Sequence, residues 1–104
     1  MKTEITQLTQ GILEQIEQLA AVNYSYSEMA IYLSMPKKLF IQEANQKDTS
    51  IWTAIQKGRL QTQFDIDNKL AENAAAGNIT AVQIYEKRVK TKDFENLKDH
   101  VYGL

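Results

Sequence analysis

Residues 24–46 read YSYSEMAIYLSMPKKLFIQEANQ and contain two short helical patterns separated by a turn. Ser27 followed by Glu28 predicts the start of one helix, because a serine hydroxyl can accept hydrogen bonds from free backbone amides. Pro36 predicts the start of the next helix, because the missing amide hydrogen of proline costs little in a first turn. Ser34 occupies the turn, where glycine is usual. The arrangement is typical of a helix-turn-helix.

Helical spacing of apolar residues extends to both sides of this stretch. Apolar side chains recur every three or four positions over residues 3–22, which predicts a first helix with an apolar stripe of Ile5, Leu8, Ile12, Ile16 and Leu19. A long helix is predicted over residues 51–76, and an antiparallel helix returns over residues 79–90 after the break at Gly77-Asn78. We expect Trp52, Phe64 and Tyr85 to be at least half buried as core anchors.

The predicted fold class is therefore all-α, as an N-terminal helix, a helix-turn-helix, then a long helix and an antiparallel αα-hairpin. We expect a single domain overall, because 104 residues suit one core. Its predicted segments are a packing or oligomerisation helix (1–22), the helix-turn-helix (23–48), the αα-hairpin (49–90) and a C-terminal tail (91–104). Periodicity fades in the tail, so either a short final helix or a segment ordered by a partner fits it.

The composition argues against catalysis. The chain has no cysteine, which excludes disulfides and thiolate metal sites, and it contains no glycine-rich phosphate loop. Its one histidine, His100, has no evident catalytic partners, and Asp65 and Asp67 lie two apart on a helix, where side chains do not face each other. We predict a protein that is not an enzyme and uses no cofactor and no metal.

The sequence also bears on location. Its first residues, MKTEIT, lack the layout of a signal peptide, and no apolar run is long enough to cross a bilayer. The expected location is the cytoplasm of a bacterial host cell, without membrane association.

Positive charge is concentrated in two windows, residues 36–60 and residues 86–92, each with a net charge of +3 although the whole chain carries −1. Lysine suits phosphate or guanine and glutamine suits an adenine edge, so double-stranded DNA is the predicted partner. The predicted DNA-contacting residues are Ser27, Lys37, Lys38, Gln42, Gln46, Lys47, Lys57 and Arg59. If these do not bind, the second window offers Lys87, Arg88, Lys90 and Lys92.

The segments that follow the helix-turn-helix carry a resemblance to a known family. They are Trp52-Thr53-Ala54-Ile55-Gln56-Lys57-Gly58-Arg59, Leu70-Ala71, Ala74-Ala75-Ala76-Gly77-Asn78, Ala81 and Tyr85-Glu86-Lys87-Arg88. Over residues 24–90 the chain resembles phage terminase small subunits and related prophage DNA-binding proteins. The resemblance implies recognition of DNA for packaging, assembly into a homo-oligomeric ring, and regulation of a large terminase subunit that carries the ATPase and nuclease.

Two other functions fit the same residues: a dimeric helix-turn-helix transcriptional regulator on operator DNA, and a helical protein-interaction module. A ring of many subunits would favour packaging and a dimer would favour regulation. Salt-dependent DNA binding would separate both from the interaction module. The first helix is the predicted oligomer interface, because its apolar stripe is more than one small core needs.

Overall fold

The computed structural model describes residues 8–102, without the side chain of Tyr102, and that part of the chain contains helices and no strands. This confirms the all-α prediction. Two compact units, Met1–Gln63 and Phe64–Leu104, divide the chain within the fourth helix. The helices are α1 (Gln10–Ala21), α2 (Tyr26–Tyr32), α3 (Lys37–Asn45), α4 (Ser50–Ala75) and α5 (Ile79–Tyr102).

The first unit has a continuous hydrophobic core. Its buried members come from α1, α2, α3 and the first turns of α4, and they are Ile16, Ala20, Met29, Ala30, Phe40, Ala44, Ile51, Ala54 and Ile55. Leu8, Ile12 and Leu19 of the predicted apolar stripe pack against this core, and Ile5 lies outside the described residues. Of the described residues of this stripe, Ile16 is fully buried in the unit's own core and the other three are partly buried against it, so an oligomer interface on α1 stays a prediction.

The start of α4 crosses α1 at Gly58. A β-carbon at this position would collide with the main-chain carbonyl of Glu17 and would lie 3.0 Å from the β-carbon of Ala20. One turn further on, the Thr62 hydroxyl donates a 2.6 Å hydrogen bond to the carbonyl of Ala21, which lies among the carbonyls that a helix end leaves unpaired. The backbones of α1 and α4 can therefore approach closely because Gly58 has no side chain.

Gly58→Ala should destabilise the protein by about 1–3 kcal/mol, since the new methyl group meets backbone that cannot rotate away. Gly11→Ala is the matched control, because a β-carbon there has only an ordinary 3.7 Å contact with the Thr9 hydroxyl. That variant should be unchanged or more stable by up to about 1 kcal/mol. Urea unfolding followed by circular dichroism measures both, and equal stability of the two variants would contradict the close crossing.

Two helix starts differ from the sequence predictions. α1 begins at Gln10, where the Thr9 hydroxyl accepts a 3.2 Å hydrogen bond from the Ile12 amide; of the predicted earlier start, residues 3–7 lie outside the described residues. α2 is capped by Ser25 and not by Ser27. The reason is spacing, since a reciprocal capping box joins residues three apart and Glu28 is three residues after Ser25.

Three helices end in the same way, with a residue in the left-handed conformation. After α1, α2 and α4 these residues are Asn23, Ser34 and Gly77, with φ of 64°, 58° and 96°. At each end, the next amide along the chain donates a hydrogen bond back to a carbonyl of the last turn, as Tyr24 does to Leu19 at 3.1 Å. This is the Schellman arrangement, which stops a helix and turns the chain.

In the second unit, an ion pair joins the end of α4 to α5. Arg88 donates two 3.1 Å hydrogen bonds to the carboxylate of Asp67, and this bidentate pairing with Asp67 is the main reason that the pKa of Arg88 is raised. Asp67 is therefore part of an ion pair between α4 and α5. α5 continues to Tyr102, well past the predicted end at residue 90.

The predicted half burial is confirmed for two of the three aromatic residues, but none of the three belongs to the buried core. Trp52 and Tyr85 each expose less than half of their surface, whereas Phe64 is 59% exposed. α4 is one uninterrupted helix, so Phe64 lies about 180° around it from the buried Ile55. The prediction for Phe64 is therefore wrong.

Candidate nucleic-acid interface

Two short helices, α2 and α3, pack against each other across the connection formed by residues 33–36. Met29 and Ala30 of α2 and Phe40 and Ala44 of α3 are fully or almost fully buried between them and the rest of the unit. In the connection, Ser34 has the left-handed backbone that glycine adopts without strain. The geometry of the turn is thus the one that the usual glycine would provide, formed here by serine.

Ser34→Gly should stabilise the protein by about 0.5–1 kcal/mol, because removing the β-carbon relieves the left-handed strain by more than the added flexibility costs. Ser34→Ala is the control: it removes the hydroxyl and keeps the strain, so no gain is expected. Thermal unfolding measures the difference. If the glycine variant is no more stable than the alanine variant, Ser34 is not strained.

The outer surface of α3 carries polar side chains on one face. Lys38, Gln42 and Asn45 are exposed and are spaced by four and three residues, so they follow one side of the helix. The buried Phe40 and Ala44 lie on the opposite side. Asn45 was not in the predicted set, although its spacing from Gln42 would have identified it, and asparagine has the same bidentate pairing with adenine as glutamine.

The first turn of α3 is open. Side chains cap the starts of α1, α2, α4 and α5, whereas the start of α3 at Pro36 has no side-chain hydrogen bond. Lys37 and Lys38 in this turn are both exposed. Free amides and two ammonium groups at one helix start favour an anion such as phosphate.

Arg59 lies beside the start of α2. Its guanidinium carbon is 5.5 Å from the centre of the Tyr26 ring, a cation–π distance, and Tyr26 is the first residue of α2. Ser27, the next residue, is partly buried in the same turn. The structure therefore brings the predicted residues Ser27 and Arg59 to one end of α2.

Lys57 points elsewhere. It lies two residues before Arg59, about 200° around the helix, and its ammonium is 3.8 Å from the Glu17 carboxylate on α1. Lys57, Glu17 and Asp48 line the same surface depression, which has a volume of about 300 Å³. Gln46 and Lys47, by contrast, directly follow α3 and are exposed. The predicted set therefore separates, with Lys57 on a side that carries two carboxylates.

Of the alternative basic window, Arg88 already pairs with Asp67, and the Lys92 ammonium is 3.4 Å from the Glu95 carboxylate. These carboxylates reduce the positive charge that the window offers to phosphate. The exposed lysines of α3 are the stronger candidates for contact with a polyanion.

The capping box at α2 contains an ionisable group. The Glu28 carboxylate accepts a 2.9 Å hydrogen bond from the Ser25 amide, and its own amide donates to the Ser25 hydroxyl at 3.1 Å. The bond from the Ser25 backbone is the main reason that the pKa of Glu28 is lowered below 4.5. Because the folded pKa is depressed, this contribution to stability is present above pH 4.5 and is lost as the pH falls through the folded value.

Glu28→Gln should keep the shape of the capping box and remove its titration. We expect the melting temperatures of the wild type and this variant to differ most at neutral pH and to converge as Glu28 becomes protonated. Thermal unfolding between pH 7 and about pH 3 measures this difference, because other carboxylates affect both proteins equally. A constant difference over this range would contradict the shifted pKa.

Two further findings bear on the chemistry of the chain. Within residues 8–102, no helix combines the length and the apolar character that spanning a membrane requires. The same residues contain no group of three or more histidine, cysteine, aspartate or glutamate side chains placed to hold a metal ion. Comparison with known proteins gave no match to a family model, to a curated protein or to a solved structure.

Proposed function

We propose that this protein binds double-stranded DNA without catalysing a reaction, with α3 as the recognition helix in the major groove. The observation that carries the proposal is the outer face of α3, where Lys38, Gln42 and Asn45 are exposed while Phe40 and Ala44 hold the helix to the core. A helix in the major groove needs this combination of a polar outer face and a firmly packed inner face.

Each part of this surface has a separate task in the proposal. The open first turn of α3, with Lys37 and Lys38, contacts the phosphate backbone and fixes the register of the helix. Gln42 and Asn45, further along the same face, contact base edges. Ser27 at the start of α2, and Arg59 of α4 beside it, contact the DNA backbone across the groove, where the first helix of such a pair usually lies.

We further propose the role that the sequence resemblance implies, a phage or prophage protein of the terminase small subunit kind. As a homo-oligomer it would present α3 several times to DNA that a large terminase subunit then packages. Repetition supports this part of the proposal, because a chain of net charge −1 has few phosphate contacts per copy and gains affinity when several copies bind together.

Replacing Lys37 and Lys38 together with alanine should weaken binding to duplex DNA of any sequence. Log affinity falls with log salt with a steepness of about 0.9 per phosphate contact, so losing two contacts should reduce the steepness by about 1.8. Lys57→Ala is the matched control, because Lys57 faces Glu17, and it should leave the slope unchanged. Fluorescence anisotropy with a labelled duplex at several salt concentrations measures all three proteins.

Gln42→Ala should change sequence preference more than overall affinity, since losing one base contact costs roughly 1–3 kcal/mol at one position of the site. Selection from a random duplex library followed by sequencing measures the preference.

If the double lysine variant keeps its affinity and salt dependence and Gln42→Ala keeps its sequence preference, α3 does not contact DNA. If Lys57→Ala also has the salt dependence of the wild type, Lys87, Lys90 and Lys92 become the next candidates for contact with DNA.

A further inference from the structure

The second unit covers little of its own apolar surface. It comprises the end of α4 and the whole of α5, and α5 has 24 residues against the 12 residues of α4 in this unit. Among the described residues of this unit, Ala81 is the one buried hydrophobic residue, with 6% of its surface exposed. A unit of about 40 residues normally needs a disulfide, a metal or another chain to be stable, and this sequence has no cysteine.

The most exposed apolar side chains of α5 beyond its first turn lie near its C-terminal end and share one face. Phe94, Leu97 and Val101 are 63%, 56% and 62% exposed. Their spacing of three and four residues is that of the seam of a coiled coil, in which Phe94 and Val101 take position a and Leu97 takes position d. We call these three residues the C-terminal strip.

Opposite charges border the two sides of the C-terminal strip. In this register, Asp93 takes position g of the preceding heptad on one side of the strip, and Lys98 takes position e on the other side. The Lys98 ammonium lies 5.8 Å from the centre of the Phe94 ring, which places its side chain directly beside the strip. A surface with an apolar centre, one acidic border and one basic border is complementary to itself.

We propose that the C-terminal strip pairs with the same strip of a second copy of this chain, with the two α5 helices parallel. In a parallel pair, position g of one helix faces position e of the next heptad in its partner. Asp93 of each copy then faces Lys98 of the other, and two symmetrical ion pairs border the apolar seam. In an antiparallel pair each border would face its own kind, so like charges would meet.

This inference rests on the proposed function only in requiring more than one copy, and it needs no DNA. The proposal places the self-association surface on α5, where apolar side chains are exposed. On α1, the described apolar side chains of the stripe are buried in the core or packed against it. A second copy is the occupant that the charge pattern specifies, because the required partner has the same two borders in the same order.

The test uses the full chain without DNA. Sedimentation equilibrium should give at least a dimer for the wild type and a monomer for Leu97→Glu. Since the chain has no cysteine, Leu97→Cys should form a covalent dimer on oxidation, because parallel pairing brings the two d positions together. Asp99→Cys, on the opposite face of α5, is the matched control and should remain uncrosslinked.

A charge exchange tests the orientation without altering the strip. Asp93→Lys alone and Lys98→Asp alone should each weaken the dimer roughly tenfold, because attraction becomes repulsion at two symmetrical places. The double variant should restore dimerisation. A monomeric wild type at all accessible concentrations would overturn the proposal, as would a dimer that neither Leu97→Glu nor the single charge variants weaken. DNA binding by such a monomer would leave the proposed DNA function standing.

Discussion

The close crossing of α1 and α4 at Gly58 determines the arrangement of the first unit. Because Gly58 has no side chain, the carbonyl of Glu17 can lie against the backbone of α4. The residues one and two turns earlier on α4, Ile55 and Ile51, are then fully buried with Ile16 of α1 in the same core. A larger residue at the crossing would separate the helices and leave space among these side chains, which dispersion and hydrophobic burial both oppose.

The same crossing orients the candidate interface. With one face of α4 fixed on α1, Arg59 is directed away from that contact and reaches Tyr26 at the start of α2. The Thr49 hydroxyl accepts from the Trp52 amide and donates to the carbonyl of Glu43, which joins the start of α4 to the end of α3. Both short helices are therefore held by α4, and a recognition surface on them gains the rigidity that base readout requires.

The two units differ in how much of their apolar side-chain surface is buried. The first unit, although built from short helices, buries side chains from four helices in one core. The second has two neighbouring helices, and two helices cannot enclose a side chain on all sides, so large apolar residues such as Phe94 and Leu97 are exposed. The ion pair of Arg88 with Asp67 fixes how the two helices meet, but a surface ion pair contributes little stability by itself. The second unit therefore leaves large apolar side chains of α5 exposed.

The helical class, the two short helices around residues 24–46, the long helix and the turn at Gly77 could be predicted from the residues alone, because these features depend on local spacing, capping and backbone freedom. The sequence also indicated most of the polar face of α3. Tertiary structure decided the rest. Lys57 was separated from Arg59 by which side of α4 meets α1, and the exposure of Phe64 likewise depends on which side of the helix other residues cover. Whether the stripe on α1 lies in the core or on the surface likewise depended on which helices cover it, and periodicity shows that a helix has an apolar face without specifying what that face will contact.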